Sequence, residues 1–119
     1  VDYTLKYVRV FVTDWSRAVD FYAQTLQMIP VFVTDGWAEF ATGEAHLALE
    51  RVDPADPESE ELVGRFVGVS LRVADVVELY EDLASRGVEF LAPPEQQPWG
   101  GTLAHLRDPD GNILTLLSG

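Results

Sequence analysis

Cysteine is absent from the 119-residue chain, and methionine occurs once. Without a thiol there can be no disulfide, no thiolate nucleophile and no cysteine-ligated zinc. Basic residues are few, eight Lys and Arg against twenty Asp and Glu, for a formal net charge of −12. Such a chain repels a phosphate backbone, which argues against a nucleic-acid partner. No apolar run approaches the ~20 residues that a membrane span needs. The N-terminus lacks a basic segment followed by an apolar one, so no secretory leader is visible and a cytoplasmic location is expected.

The composition is 47% hydrophobic, enough for one domain over residues 1–119 with a core of its own. Much of the acidity lies in Asp53-Pro54-Ala55-Asp56-Pro57-Glu58-Ser59-Glu60-Glu61, which reads as an exposed loop. Acidic surface keeps a chain soluble and also steers a cationic ligand inward.

A repeat organises the remainder. Apolar residues alternate at Val8, Val10 and Val12 before Asp14, and at Val69, Leu71 and Val73 before Asp75. Period 2 predicts half-buried strands, each running into an Asp able to cap a helix. Ala18, Val19, Phe21, Tyr22 and Leu26 then fall at helical spacing, as do Val76, Leu79, Tyr80 and Leu83. Glu78 completes a capping-box-like pattern with Asp75, and Gly87 is placed to stop the second helix. Three strand-like runs follow each helix: 29–34, 37–41 and 45–50, then 88–91, 102–107 and 113–117. Asp35-Gly36, Thr42-Gly43 and Asp108-Pro109-Asp110-Gly111-Asn112 supply turns. The expectation is an α+β fold of two βαβββ units, 1–52 and 65–119, joined by an acidic linker at 53–64. Together they would form a curved, mostly antiparallel eight-stranded sheet. A unit this small cannot cover both sheet faces, so a homodimer is expected, domain-swapped or side by side.

The pattern resembles the vicinal oxygen chelate superfamily, which includes glyoxalases, dioxygenases and bleomycin-resistance proteins. The likeness is carried by Val10-Phe11-Val12-Thr13-Asp14 with Ala18-Val19-Asp20-Phe21-Tyr22, and by Pro98-Trp99-Gly100 with Arg107-Asp108-Pro109-Asp110-Gly111-Asn112. Gln27 departs from it, standing where the family has Gly. The resemblance implies metal positions on the first and last strand of each unit, which fall on Tyr7, Ala48, Gly68 and Thr115. Two of these have no side-chain donor, so neither a metal nor another cofactor is expected there.

Strand alternation selects the residues facing a ligand. The first strands supply Tyr7, Arg9 and Phe11, then Gly68, Ser70 and Arg72. The last strands supply His46, Ala48 and Glu50, then Ile113, Thr115 and Leu117. Third strands add Trp37, Glu39 and Ala41, with Leu103 and His105, and Trp99 stands at the rim. Tyr7, Arg9, Phe11, Trp37, Glu39, His46, Glu50, Ser70, Arg72, Trp99, His105 and Thr115 are the candidate ligand-binding set. Each has a plainer reading. Trp37 can cover a dimer interface, Trp99 can serve its turn, the arginines can pair with Glu39 or Glu50, and the histidines can be ordinary hydrogen-bonding residues.

Two functions fit. One is metal-independent binding and sequestration of an aromatic natural product, a cationic one among the candidates, as in the bleomycin-binding proteins of the family. Other metal-free members hold mitomycin-like and enediyne-like antibiotics. The alternative is a glyoxalase- or dioxygenase-like lyase or isomerase whose site departs from the usual one. No Ser-His-carboxylate arrangement or phosphate-cradling glycine loop is visible.

Overall fold

The structure is a computed structural model describing residues 1–119. Its contacts divide into two compact units, Val1–Gly64 and Arg65–Gly119.

In the first unit β1 (Tyr7–Val12) leads into α1 (Trp15–Asp20), followed by β2 (Pro30–Val33), β3 (Trp37–Ala41) and β4 (His46–Arg51). The sheet order is β1-β4-β3-β2, so the last strand lies between the first and the third. β4 runs parallel to β1 and antiparallel to β3. Val10, Val12, Ala38, Phe40, Leu47 and Leu49 share one face and are buried. Ala18 and Tyr22 are buried with them, the Tyr22 ring 6.0 Å from that of Phe40.

The second unit repeats the plan with β5 (Phe66–Arg72), α3 (Val76–Ser85), β6 (Glu89–Phe90), β8 (Thr102–Arg107) and β9 (Ile113–Ser118). Its order is β5-β9-β8-β6, again with the last strand inside, and a short β7 (Glu95–Gln96) also pairs with β8. Leu106, Leu114 and Leu116 face Leu83 and Val76 as core. Asp75 caps α3 by accepting from the Val77 and Glu78 amides, both at 3.1 Å, and the chain leaves at Gly87 with φ +89°. Asp108 in the closing turn accepts from the amides of Asp110 and Asn112, both at 2.9 Å, and from Asn112 Nδ2 at 3.0 Å. These bonds replace the ladder where β8 turns into β9.

Four local features differ from the sequence reading. The strands form a four-stranded and a five-stranded sheet, one in each unit. The acidic stretch is not wholly loop, since Ser59–Leu62 forms a short helix, α2. Asp14 makes no side-chain cap bond to α1. The first long helix is α-helical only to Asp20, and Phe21–Thr25 forms a π turn.

That turn explains Gln27. The Leu26 amide reaches Phe21 O at 2.9 Å and the Met28 amide reaches Tyr22 O at 3.0 Å, which closes the helix around a left-handed residue. Gln27 occupies that position at φ +58°, the one non-glycine residue with positive φ. A side chain there costs about 1 kcal/mol, part of which a glycine would give back through a freer unfolded chain. Gln27→Gly is expected to raise stability by up to about 1 kcal/mol, read as a higher urea midpoint at unchanged slope.

Candidate functional site

The sheet face away from the core carries the site residues of the first unit. β4 supplies His46, Ala48 and Glu50, and register places Tyr7 and Ala41 beside His46, Arg9 and Glu39 beside Ala48, and Phe11 and Trp37 beside Glu50. Alternation therefore gathers an aromatic and charged cluster on one side of three strands.

Glu39 organises it. The residue is only 6% exposed, and a carboxylate removed from water needs hydrogen-bond donors. It has two. Trp37 Nε1 donates to Oε2 at 3.3 Å, and His46 Nδ1 lies 2.6 Å from Oε1. The His46 bond, aided by the Trp37 bond, by the charge of Lys6 and by that of His46 whenever its ring is protonated, holds the Glu39 carboxyl below its ordinary value of 4.5 against the opposing effect of burial. An ionised carboxylate only accepts, so the His46 proton facing it resides on Nδ1. Trp37 is held a second time by the Tyr7 ring, which meets it edge-on at 5.1 Å.

Arg9 and Glu50 pair at 3.1 Å, with side chains 54% and 35% exposed, so the pair contributes at most ~1 kcal/mol. This is one of the arginine pairings the sequence allows. Phe11 is buried, at 7% exposure. It bridges to Val63 and carries the Arg9 guanidinium 5.3 Å from its ring, which leaves it little surface for a ligand.

The corresponding face of the second unit is built differently. Ser70 and His105 flank Thr115. Thr115 is buried, and its hydroxyl lies 2.8 Å from His105 Nδ1. Ser70 and Arg72 are exposed. A bulge separates the Phe66–Ile113 pair from the Ser70–Thr115 pair, with Gly68 inside it at φ +79°. The strand position that Tyr7 holds opposite His46 therefore falls to Phe66 opposite Ile113, and not to Gly68. Phe66 is 57% exposed, and its ring meets His105 at 5.6 Å. Phe66 shares the parity of Gly68, Ser70 and Arg72, but an offset counted back from Asp75 stops at Gly68 because the bulge inserts two extra residues, and the mid-strand glycine was the available signal. Trp99 is 60% exposed and lies flat on Gly101, where a Cβ would come within 1.8 Å of its ring.

The positions that hold metal in metal-dependent proteins of this fold present a phenol at Tyr7, a methyl at Ala48 and an engaged hydroxyl at Thr115, and the fourth, expected at Gly68, falls by register to the Phe66 ring; neither residue has a donor. This donor set does not fit a divalent transition metal. Nowhere do three His, Asp or Glu side chains converge in a metal-holding group.

Two outcomes follow from this geometry. Glu39 contributes stability that is fully present above about pH 4.5 and lost as pH falls through its lowered folded value. Glu39→Gln should therefore lower the urea midpoint near neutrality, and the gap to the parent should close in strong acid. Gly101→Ala should lift Trp99 off its seat, read as a changed tryptophan emission maximum with the far-ultraviolet circular dichroism unaltered.

The family model of the Glyoxalase/Bleomycin resistance protein/Dioxygenase superfamily matches residues 4–116. A bleomycin resistance protein of Klebsiella pneumoniae is 31% identical over 87% of this chain and 83% of its own length. Among solved structures, a superfamily member from Sphaerobacter thermophilus superposes with a TM-score of 0.81 at 29% identity, covering 99% of this chain and 98% of that one. TnmS3, an antibiotic binding protein from Streptomyces sp. CB03234, gives 0.76 at 31% identity, covering 98% and 96%. The protein belongs to the Glyoxalase/Bleomycin resistance protein/Dioxygenase superfamily.

Proposed function

We propose that the protein binds and sequesters an aromatic natural product of the antibiotic type without a metal and without turning it over. The observation that carries this reading is that a phenol, a methyl, a phenyl ring and an engaged hydroxyl stand at the metal positions, beside an aromatic surface held by Glu39. Similarity to a bleomycin resistance protein and to an antibiotic binding protein supports it. Rigid aromatic walls with a few fixed polar groups suit a planar organic ligand. In the first unit Trp37 is the stacking surface, with Tyr7, Arg9, Glu39, His46 and Glu50 around it. In the second unit Trp99 is an exposed stacking surface, and Ser70, Arg72, His105 and Thr115 are the polar candidates.

A homodimer in the cytoplasm is part of the proposal. Edge strand β2 leaves Val31, Phe32 and Val33 at 45–50% exposure and the preceding Ile29 at 70%. An apolar edge with open backbone groups is what a partner covers. No helix is long and apolar enough to cross a membrane.

The test is a titration of tryptophan fluorescence with bleomycin and with planar polycyclic antibiotics, followed by recovery of the compound. Saturable binding and an unaltered compound are expected. A compound recovered altered at steady turnover would establish the enzyme alternative instead. Stacking contributes roughly 0.5–1.5 kcal/mol beyond buried area, so Trp37→Ala should weaken binding about tenfold or more. Trp37→Phe, which keeps a ring and loses the N–H to Glu39, should fall between. Unchanged affinity in both Trp37→Ala and Trp99→Ala would eliminate the stacking surfaces. Light scattering should give twice the chain mass, and a monomer that binds with full affinity would remove the dimer from the proposal.

A further inference from the structure

We infer that His46 is a proton acceptor for the bound molecule, and that the site selects aromatic ligands carrying an acidic hydroxyl, a phenol or enol. The inference deepens the proposed binding function and rests on it.

Glu39 sets the tautomer of His46. Nδ1 of His46 lies 2.6 Å from the ionised carboxylate of Glu39, so the neutral ring keeps its proton there and Nε2 bears a lone pair. Nothing in the chain engages Nε2, and the side chain is 27% exposed. The other carboxylate oxygen is taken by Trp37, so Glu39 cannot turn away without breaking both bonds. The result is a fixed acceptor on the aromatic face, standing beside Tyr7 in the sheet.

Proton uptake at Nε2 is compensated on the spot. The imidazolium would lie against a carboxylate that is 6% exposed, where opposite charges attract more strongly than in water. The other ionisable groups around it are Tyr7 and Lys6, and the Lys6 ammonium is 5.4 Å from the Tyr7 ring. Arg9, one register step further along β1, is occupied by Glu50. A hydroxyl on a ligand lying against Trp37 can therefore give its proton to Nε2. The O–H bond breaks and an N–H bond forms. The electron pair stays on the ligand oxygen, which then accepts a charge-assisted hydrogen bond from the new N–H. No other bond changes, so the step is reversible and the ligand leaves intact.

His105 provides an internal contrast. Its Nδ1 faces the neutral hydroxyl of Thr115 and not a carboxylate. Proton uptake there has no anionic partner in contact, so the role falls on the first unit.

The test compares 4-nitrophenol with 4-nitroanisole, the same ring without a proton to give. It is run about one pH unit below the phenol's own ionisation, where free probe is mostly neutral. Bound 4-nitrophenol should show the phenolate absorption band and bind at least tenfold more tightly than the ether. His46→Gln should abolish both the band and the tenfold preference. Glu39→Gln should weaken both. Equal binding of the two probes with no phenolate band would overturn the inference and leave the aromatic-binding function standing. Failure of both probes, and of bleomycin and the polycyclic antibiotics, to perturb tryptophan fluorescence would remove the binding function, and the inference with it. Independently, nitrogen-15 NMR of the unliganded protein should report His46 as the Nδ1–H tautomer, and an Nε2–H tautomer would overturn the inference whatever the probes do.

Discussion

The placement of the last strand of each unit between its first and third governs the rest of the molecule. β4 pairs with β1 on one side and β3 on the other, and β9 does the same with β5 and β8. A strand flanked on both sides satisfies its backbone within the sheet, so its side chains decide what each face becomes. Leu47 and Leu49 on β4, and Leu114 and Leu116 on β9, commit one face to the core. Ala48 and Thr115 stand at the middle of the other. In a metal-dependent protein of this fold a carboxylate on that strand would dominate the face. Here a methyl and a hydroxyl hand control to the neighbouring third strands.

The two units use that freedom differently. In the first, Glu39 becomes the polar centre and turns Trp37 and His46 into fixed groups. In the second, His105 and Thr115 satisfy each other and the bulge at Gly68 brings Phe66 over the imidazole. A shared topology thus carries one charged, strongly oriented cluster and one nearly neutral one. Function on this fold resides in such local constellations, which is why family membership alone does not define it.

What was legible in the sequence is what periodicity controls. Alternation around Val8, Val10 and Val12 identified a strand and its core face, and the Asp75 cap and the Gly87 stop bounded α3 closely. The same parity put Trp37, Glu39 and His46 on one face. Their mutual bonds were not legible, because those depend on the β3–β4 register and on side-chain rotamers that no local pattern encodes. Phe66 was hidden by a bulge, and the π turn by a helical periodicity that continues through it. Gln27 was noticed as a departure from family pattern. Its cost became physical only with its left-handed backbone angle. Phe11 shares the parity of Tyr7 and Arg9 yet is buried beside the bridge to Val63, a contact made by the end of the acidic stretch that alternation cannot see.

Under the proposed function, the same Glu39–His46 pair gives the site a general-base geometry that serves binding. Catalysis requires a group that stabilises the charge developing as a covalent bond breaks. A carboxylate-oriented imidazole supplies a proton acceptor. The metal positions that would polarise a carbonyl or an enediolate carry no suitable donors, and Arg9, the cation in the adjoining register pair, is already paired to Glu50. In the proposed complex the proton moved to Nε2 stays beside the ligand oxygen, so the favourable energy of the new ion pair contributes to affinity. In an acidic chain of net charge −12, converting a neutral imidazole into a cation beside the bound anion also gives the ligand a local counter-charge that the wider surface does not offer.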